Sequence, residues 1–252
     1  MPARVALRAH PDLGSHTILG IWAAAAVPMA LLAWVVAPAV ADHLPGPSPM
    51  ARALLLALTA GLVWQFVLVA VLVHRECGTW RWSAVRRALW LVAPTSPRTG
   101  RSGGRVWWML VPFAAVFALE EFLPAIPPVA GHDLPAFLDS PDGTALLGGN
   151  WGWFAVIVAL AVFNTVLGEE LLFRGLLLPR MNGVFGRFDW VANGVLFGAY
   201  HLHMPWAIPT AMLDTIALAY PSRRYQSAWM GIIIHSAQSV VIVVVTVAVV
   251  LR

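Results

Sequence analysis

Residues 151–179 read WGWFAVIVALAVFNTVLGEELLFRGLLLP. The stretch exceeds the roughly 20 apolar residues a helix needs to cross a bilayer, and its reading decides the class of the whole chain. Yet it carries two adjacent carboxylates, Glu169 and Glu170, and an arginine, Arg174. Crossing a membrane calls for none of them, and each is costly there unless paired or hydrated. They require another explanation.

The rest of the chain agrees with the apolar reading. Of its 252 residues 60% are hydrophobic and only 11% charged, with a mean hydropathy of +0.75, whereas a soluble domain carries about 25% charged residues. The expected fold is an all-α, polytopic transmembrane bundle of about seven spans, with a polar site inside it. The spans are expected at 17–41, 53–74, 106–123, 151–179, 190–204, 206–220 and 228–251. The fifth and sixth fall short of a full crossing and are read as tilted, re-entrant or extended by polar flanks. Residues 1–149 supply the N-terminal spans and residues 150–252 the charged core, as one integrated membrane domain.

All 16 basic residues are arginine. Residues 75–105 hold seven of them, and Arg4 and Arg8 lie near the start, while residues 120–150 hold Glu120, Glu121, Asp133, Asp139 and Asp142 and no arginine. The positive-inside rule then puts the N-terminus, Arg180, Arg187, Arg223 and Arg224 in the cytoplasm, and Arg252 at the C-terminus outside. TWRWSAVRRALWLV (79–92) reads as a helix lying in the headgroup layer. The proline-bearing outer loop reads as irregular, with a short surface helix at most. No basic face of a folded domain is visible, so nucleic acid is not an expected partner. The single cysteine, Cys77, excludes an intrachain disulfide. Nothing in the sequence fixes an oligomeric state.

Five ionisable side chains stand inside expected spans: Glu169, Glu170, His201, Asp214 and His235. Glu170 and Arg174 are four residues apart, the spacing of an intrahelical ion pair. Glu169 points about 100° away on an α-helix and has no local counter-ion, which suits a general base. At about 1.5 Å per residue, Glu169, His201, Asp214 and His235 all lie roughly 13–18 Å from the arginine-bearing ends of their helices. Four groups on four spans thus share one layer. Gly194 and Gly198, one turn before His201, form a G-x-x-x-G that admits a close neighbour. Gln238 and Ser239 follow His235 at a spacing that directs a donor towards the imidazole's space. His203 is expected to point elsewhere, towards the interface.

EELLFR (169–174), FGAYH (197–201) and IIIHSAQS (232–239) resemble the E-E-x-x-x-R, F-x-x-x-H and third histidine motifs of the CPBP family, the CAAX-protease and bacteriocin-processing intramembrane proteases. The resemblance covers roughly residues 150–245. It implies an α-helical intramembrane peptidase opening to the cytoplasmic side. Glu169 would be the catalytic glutamate, His201 its partner in activating water, and His235 an oxyanion stabiliser. Ser239 stands where the family has Asn or Asp, and its hydroxyl or the Gln238 amide would be the second donor. Glu170, Arg174 and Asp214 would support the site.

The expected activity is endopeptidase cleavage of a membrane peptide or protein within the lipid bilayer. Two histidines and a glutamate match the ligand count of a catalytic zinc, so Zn would sit on Glu169, His201 and His235. There is no H-E-x-x-H, and a glutamate bound to metal is a poor base, so no obligatory metal is expected. A proton-coupled transporter using the same groups as a relay, and a catalytically silent scaffold or immunity-type membrane protein, are the rival readings. The all-arginine usage and alanine-rich spans point to a bacterial plasma membrane and a bacterial membrane or leader peptide as substrate.

Overall fold

Six helices organise the computed structural model, which describes residues 12–124 and 126–251. They are α1 (Ser15–Ala41), α2 (Pro49–Cys77), α3 (Gly104–Ala118), α4 (Trp151–Arg180), α5 (Asp189–Tyr200) and α6 (Trp229–Val250). The described residues form no strand. Four helices, α1, α2, α4 and α6, are long and apolar enough to cross a membrane. Val67 and Val71 on α2 and Val240, Val241, Val244 and Val245 on α6 stay exposed, as surface that lipid covers requires. The chain is an integral membrane protein. Expectations about Arg4, Arg8, Arg252 and the side chain of Glu121 fall outside the described residues.

The other three expected spans are built from shorter pieces. Of 106–123, the apolar helical part is α3, which continues as a turn of 3-10 helix to Phe122. The stretch 190–220 divides into α5, two 3-10 turns, the short helix Ile208–Ala211 and a π turn, Thr215–Ala219. Pro205 opens the second 3-10 turn and Pro209 lies in the first turn of the short helix, positions where neither has a helical hydrogen bond to lose.

The proline-bearing loop between α3 and α4 is more ordered than its prolines suggest. It carries two short helices, Leu134–Leu138 and Pro141–Leu147, capped by Asp133 accepting from Ala136 N and Ser140 accepting from Gly143 N. Pro135 and Pro141 occupy first-turn positions, where the missing N–H would have had no partner anyway. The sequence reading took as breakers what are starters. The loop at the other end does hold a helix, Trp82–Ala88, with Trp80 and Trp82 exposed beside it.

Indole donors fasten α1 to the rest. Pro28 deprives the Ala24 carbonyl of its helical donor, and Trp64 Nε1 on α2 supplies one at 2.8 Å. Trp22 Nε1 donates to Leu196 O on α5 and Trp34 Nε1 to Leu202 O beyond it, both at 2.8 Å. The expected G-x-x-x-G packing is present. A Cβ on Gly194 would strike Thr215, backbone included, and one on Gly198 would touch the end of Met212 at 2.8 Å.

The arginine-bearing segments gather at one end, where Arg180 is a structural centre rather than a topology signal alone. Its guanidinium, 1% exposed, grips the Glu76 carboxylate through Nε at 2.8 Å and Nη2 at 3.0 Å. It also donates to Leu176 O at 2.6 Å and Ala88 O at 3.0 Å. One planar fork thus joins α4, α2 and the helix Trp82–Ala88. Replacing Arg180 by Gln removes the guanidinium fork from Glu76 and two carbonyls, and is expected to cost about 3 kcal/mol. Arg180→Lys recovers less than half, because an ammonium lacks the fork. Equilibrium unfolding in mild detergent measures both.

Candidate active site

Around its charged residues α4 does not follow α-helical winding. A π turn, Phe163–Gly168, precedes Glu169 and Glu170, and a second, Leu171–Leu177, follows them. Wider i→i+5 turns are frequent at functional sites and re-aim side chains. Here both carboxylates turn inward, with Glu169 2% and Glu170 0% exposed.

Glu170 holds two partners on one oxygen. Its Oε1 lies 3.2 Å from Arg174 Nη1 and accepts from His235 Nδ1 at 3.1 Å. The expected ion pair is present, but it does not use up the carboxylate. The Arg174 guanidinium also lies over the face of Phe197, 4.0 Å from the ring centre, a favourable contact for a buried cation. The other oxygen, Oε2, lies against Gly231, where a Cβ would collide with it. Gly231 is therefore part of the construction: α6 approaches closely enough to bring His235 to Glu170 because Gly231 carries no side chain.

Glu169 has a partner the sequence did not disclose. The Tyr200 hydroxyl is hydrogen-bonded to the Glu169 carboxylate and accepts from Gln65 Nε2 at 2.6 Å. Gln65 and Tyr200 are wholly buried. Neither side chain is charged at neutral pH, so the count of charged groups within spans does not include them. Gln65, an amide in the middle of an apolar span, was the available signal.

His201 opens the 3-10 turn that ends α5, and its Nδ1 lies 2.9 Å from Phe197 O. A carbonyl only accepts, so Nδ1 carries the proton and, in the neutral ring, Nε2 presents a lone pair. The Phe197 ring touches both histidines, with centroids 4.9 Å from His201 and 6.1 Å from His235. His235 is within electrostatic reach of Glu169, Asp214 and His201, and Arg174 reaches the same groups. Glu169, His201, Asp214 and His235, expected to share a layer, thus lie within electrostatic range of common partners. His203 departs from expectation. It is buried, with its ring stacked on His201 at 5.5 Å, because the chain leaves α-helical geometry after Tyr200.

Asp214 is buried and shares a side-chain hydrogen bond with Glu120, which stands at the end of the expected span 106–123. Ser239 lies in the seam between α6 and α4, where its hydroxyl donates to Ala161 O at 3.3 Å and accepts from Thr165 Oγ1 at 3.1 Å. Gln238, expected to face the imidazole, is exposed; three residues on from His235 it stands 60° round the α-helix, already on the outer surface.

Among the described residues no three His, Cys, Asp or Glu side chains are grouped as ligands of a metal ion. Glu169, His201 and His235 are not grouped in that way.

Residues 151–241 match the family model described as type II CAAX prenyl endopeptidase Rce1-like. That stretch contains all three motifs and every charged group of the cluster except Glu120. No curated protein and no solved structure matches the chain.

Gly231→Ala is expected to disrupt the site, because Glu170 is held from two sides and cannot yield. Gly198→Ala is expected to be tolerated, since the Met212 side chain can move aside. Thermal unfolding in detergent should show Gly231→Ala falling well below the wild type, with Gly198→Ala close to it.

Proposed function

We propose that this chain, a member of the CPBP/CAAX-protease family by residues 151–241, hydrolyses peptide bonds of membrane-associated substrates within the bilayer. The observation that carries this reading is the buried Glu169 carboxylate, hydrogen-bonded to Tyr200 and within electrostatic reach of His235. Glu169 takes a proton from a water molecule that is also held by the Nε2 lone pair of His201. The resulting hydroxide attacks the scissile carbonyl, and Glu169 returns the proton to the leaving amine.

His235 serves the oxyanion. With Nδ1 directed to Glu170, the ring, when protonated, offers its Nε2–H to the developing charge, and Glu170 carries the counter-charge. A donor in that role is worth roughly 3–4 kcal/mol. Ser239 contributes mainly to helix packing, since its proton is given to Ala161 O. Tyr200 and Gln65 act as positioning residues for Glu169. The arginine-bearing end faces the cytoplasm of a bacterial cell and the acidic loops face outward, by the charge asymmetry of the connecting segments.

The test uses purified protein in proteoliposomes with a library of labelled membrane peptides. Cleavage is expected in the wild type and absent in Glu169→Gln, with unchanged thermal unfolding. If Glu169→Gln cleaves like the wild type, the proposal is wrong. Flux driven by a pH gradient and abolished by the same substitution, without cleavage, would establish the transporter instead. Tyr200→Phe should lower kcat/KM by about 10- to 100-fold, the range of one lost hydrogen bond to a charged group. Ser239→Ala should lower it less than threefold.

A further inference from the structure

A groove of about 860 Å3 crosses the arginine-bearing end of the bundle, away from the buried cluster. Arg98, Arg101, Arg105 and Arg224 line it, together with Ser96 and Ser102. No acidic residue is among its lining residues. Among the described residues none of these four arginines is paired with a carboxylate, in contrast to Arg174, Arg180 and Arg223. Four like charges around one concavity repel each other, and nothing in the packing of the fold calls for them there.

The loop that presents them is well tied. Ser96 N donates to Arg101 O at 2.9 Å, Gly103 N to Pro94 O at 2.9 Å and Thr95 N to Tyr225 O at 2.8 Å, while the Thr95 and Ser102 hydroxyls meet at 2.8 Å. Gly100 and Gly103 turn the chain at φ of 70° and 71°, a region glycine enters without strain. The groove continues into the start of α3, where Val106 and Met109 complete its lining. Trp108 and Val111 stand exposed beside it, at 73% and 59%. An indole next to apolar surface marks the level where hydrocarbon gives way to water. The arginines therefore lie at headgroup depth.

We propose that this groove binds the phosphate of an anionic phospholipid headgroup. Guanidinium groups engage phosphate through paired N–H donors, the serine hydroxyls add neutral donors, and the adjoining apolar surface of α3 accommodates the acyl chains. Juxtamembrane arginine clusters favour anionic lipids on the same physical grounds. The proposal rests on the chain being an integral membrane protein and is independent of the peptidase reading.

The experiment compares delipidated protein in detergent with the variant R98Q/R101Q/R105Q. Each is offered phosphatidylglycerol, phosphatidylcholine or inorganic phosphate, and retained lipid is counted by native mass spectrometry. The wild type is expected to retain phosphatidylglycerol at least tenfold over phosphatidylcholine, with the preference lost in the triple variant. Inorganic phosphate at equal concentration should not displace the lipid. Equal retention of both lipids, an unchanged preference in the variant, or displacement by inorganic phosphate alone overturns the proposal. So does a variant that keeps its lipid preference but cleaves acidic peptides less well, which would assign the groove to substrate. Should the triple variant fail to fold, Arg101→Gln and Arg224→Gln are measured singly, and each is expected to reduce the preference at least threefold.

Discussion

A carboxylate withdrawn from water has to be met by opposite charge and by donors, or the fold cannot bear it. Glu170 answers that constraint with one oxygen, shared by Arg174 from its own helix and by His235 from α6. Much of the architecture follows. The π turns of α4 aim the side chain inward, Gly231 clears the approach of α6, and Phe197 lays its ring against the guanidinium. Fixing His235 in this way also fixes which of its nitrogens is left for chemistry. Glu169, one residue away, is then surrounded by groups whose places are already determined.

The two neighbouring glutamates thus have separate duties, set by their surroundings rather than by their chemistry. Glu170 meets two cationic or potentially cationic groups and serves as an anchor. Glu169 meets a phenol, itself steadied by an amide, and among the described residues has no arginine bound to it as Glu170 has. Arg180 performs for the end of the bundle what Arg174 performs for its middle, joining three segments through one planar group.

What could be read in the sequence was what local periodicity and depth control. The long spans, the Glu170–Arg174 pair and the common layer of Glu169, His201, Asp214 and His235 all follow from counting residues along a helix. The glycines of α5 were readable for the same reason. The partnership of Gln65 with Tyr200 was not, since 135 residues separate them and neither carries a charge near neutral pH. The burial of His203 and the exposure of Gln238 depend on where a helix ends and which side lipid takes, which spacing alone does not specify. Glu120 stands at the end of the expected span 106–123, where the acidic segment begins, and its contact with Asp214 joins residues far apart in the chain, which spacing does not specify. The capped helices of the outer loop were hidden by prolines that serve equally to stop a helix and to begin one.

The Gln65 amide has a bearing on how the chain divides. The recognisable stretch begins at residue 151, yet the phenol that steadies Glu169 is itself steadied from α2, and the turn carrying His201 is tethered by an indole of α1. Sequence likeness therefore marks only part of the working unit. A shortened protein restricted to the matched region would keep every acid and imidazole of the proposed reaction and lose the scaffolding that orients them, so the larger, unmatched part of the chain is not an accessory to it.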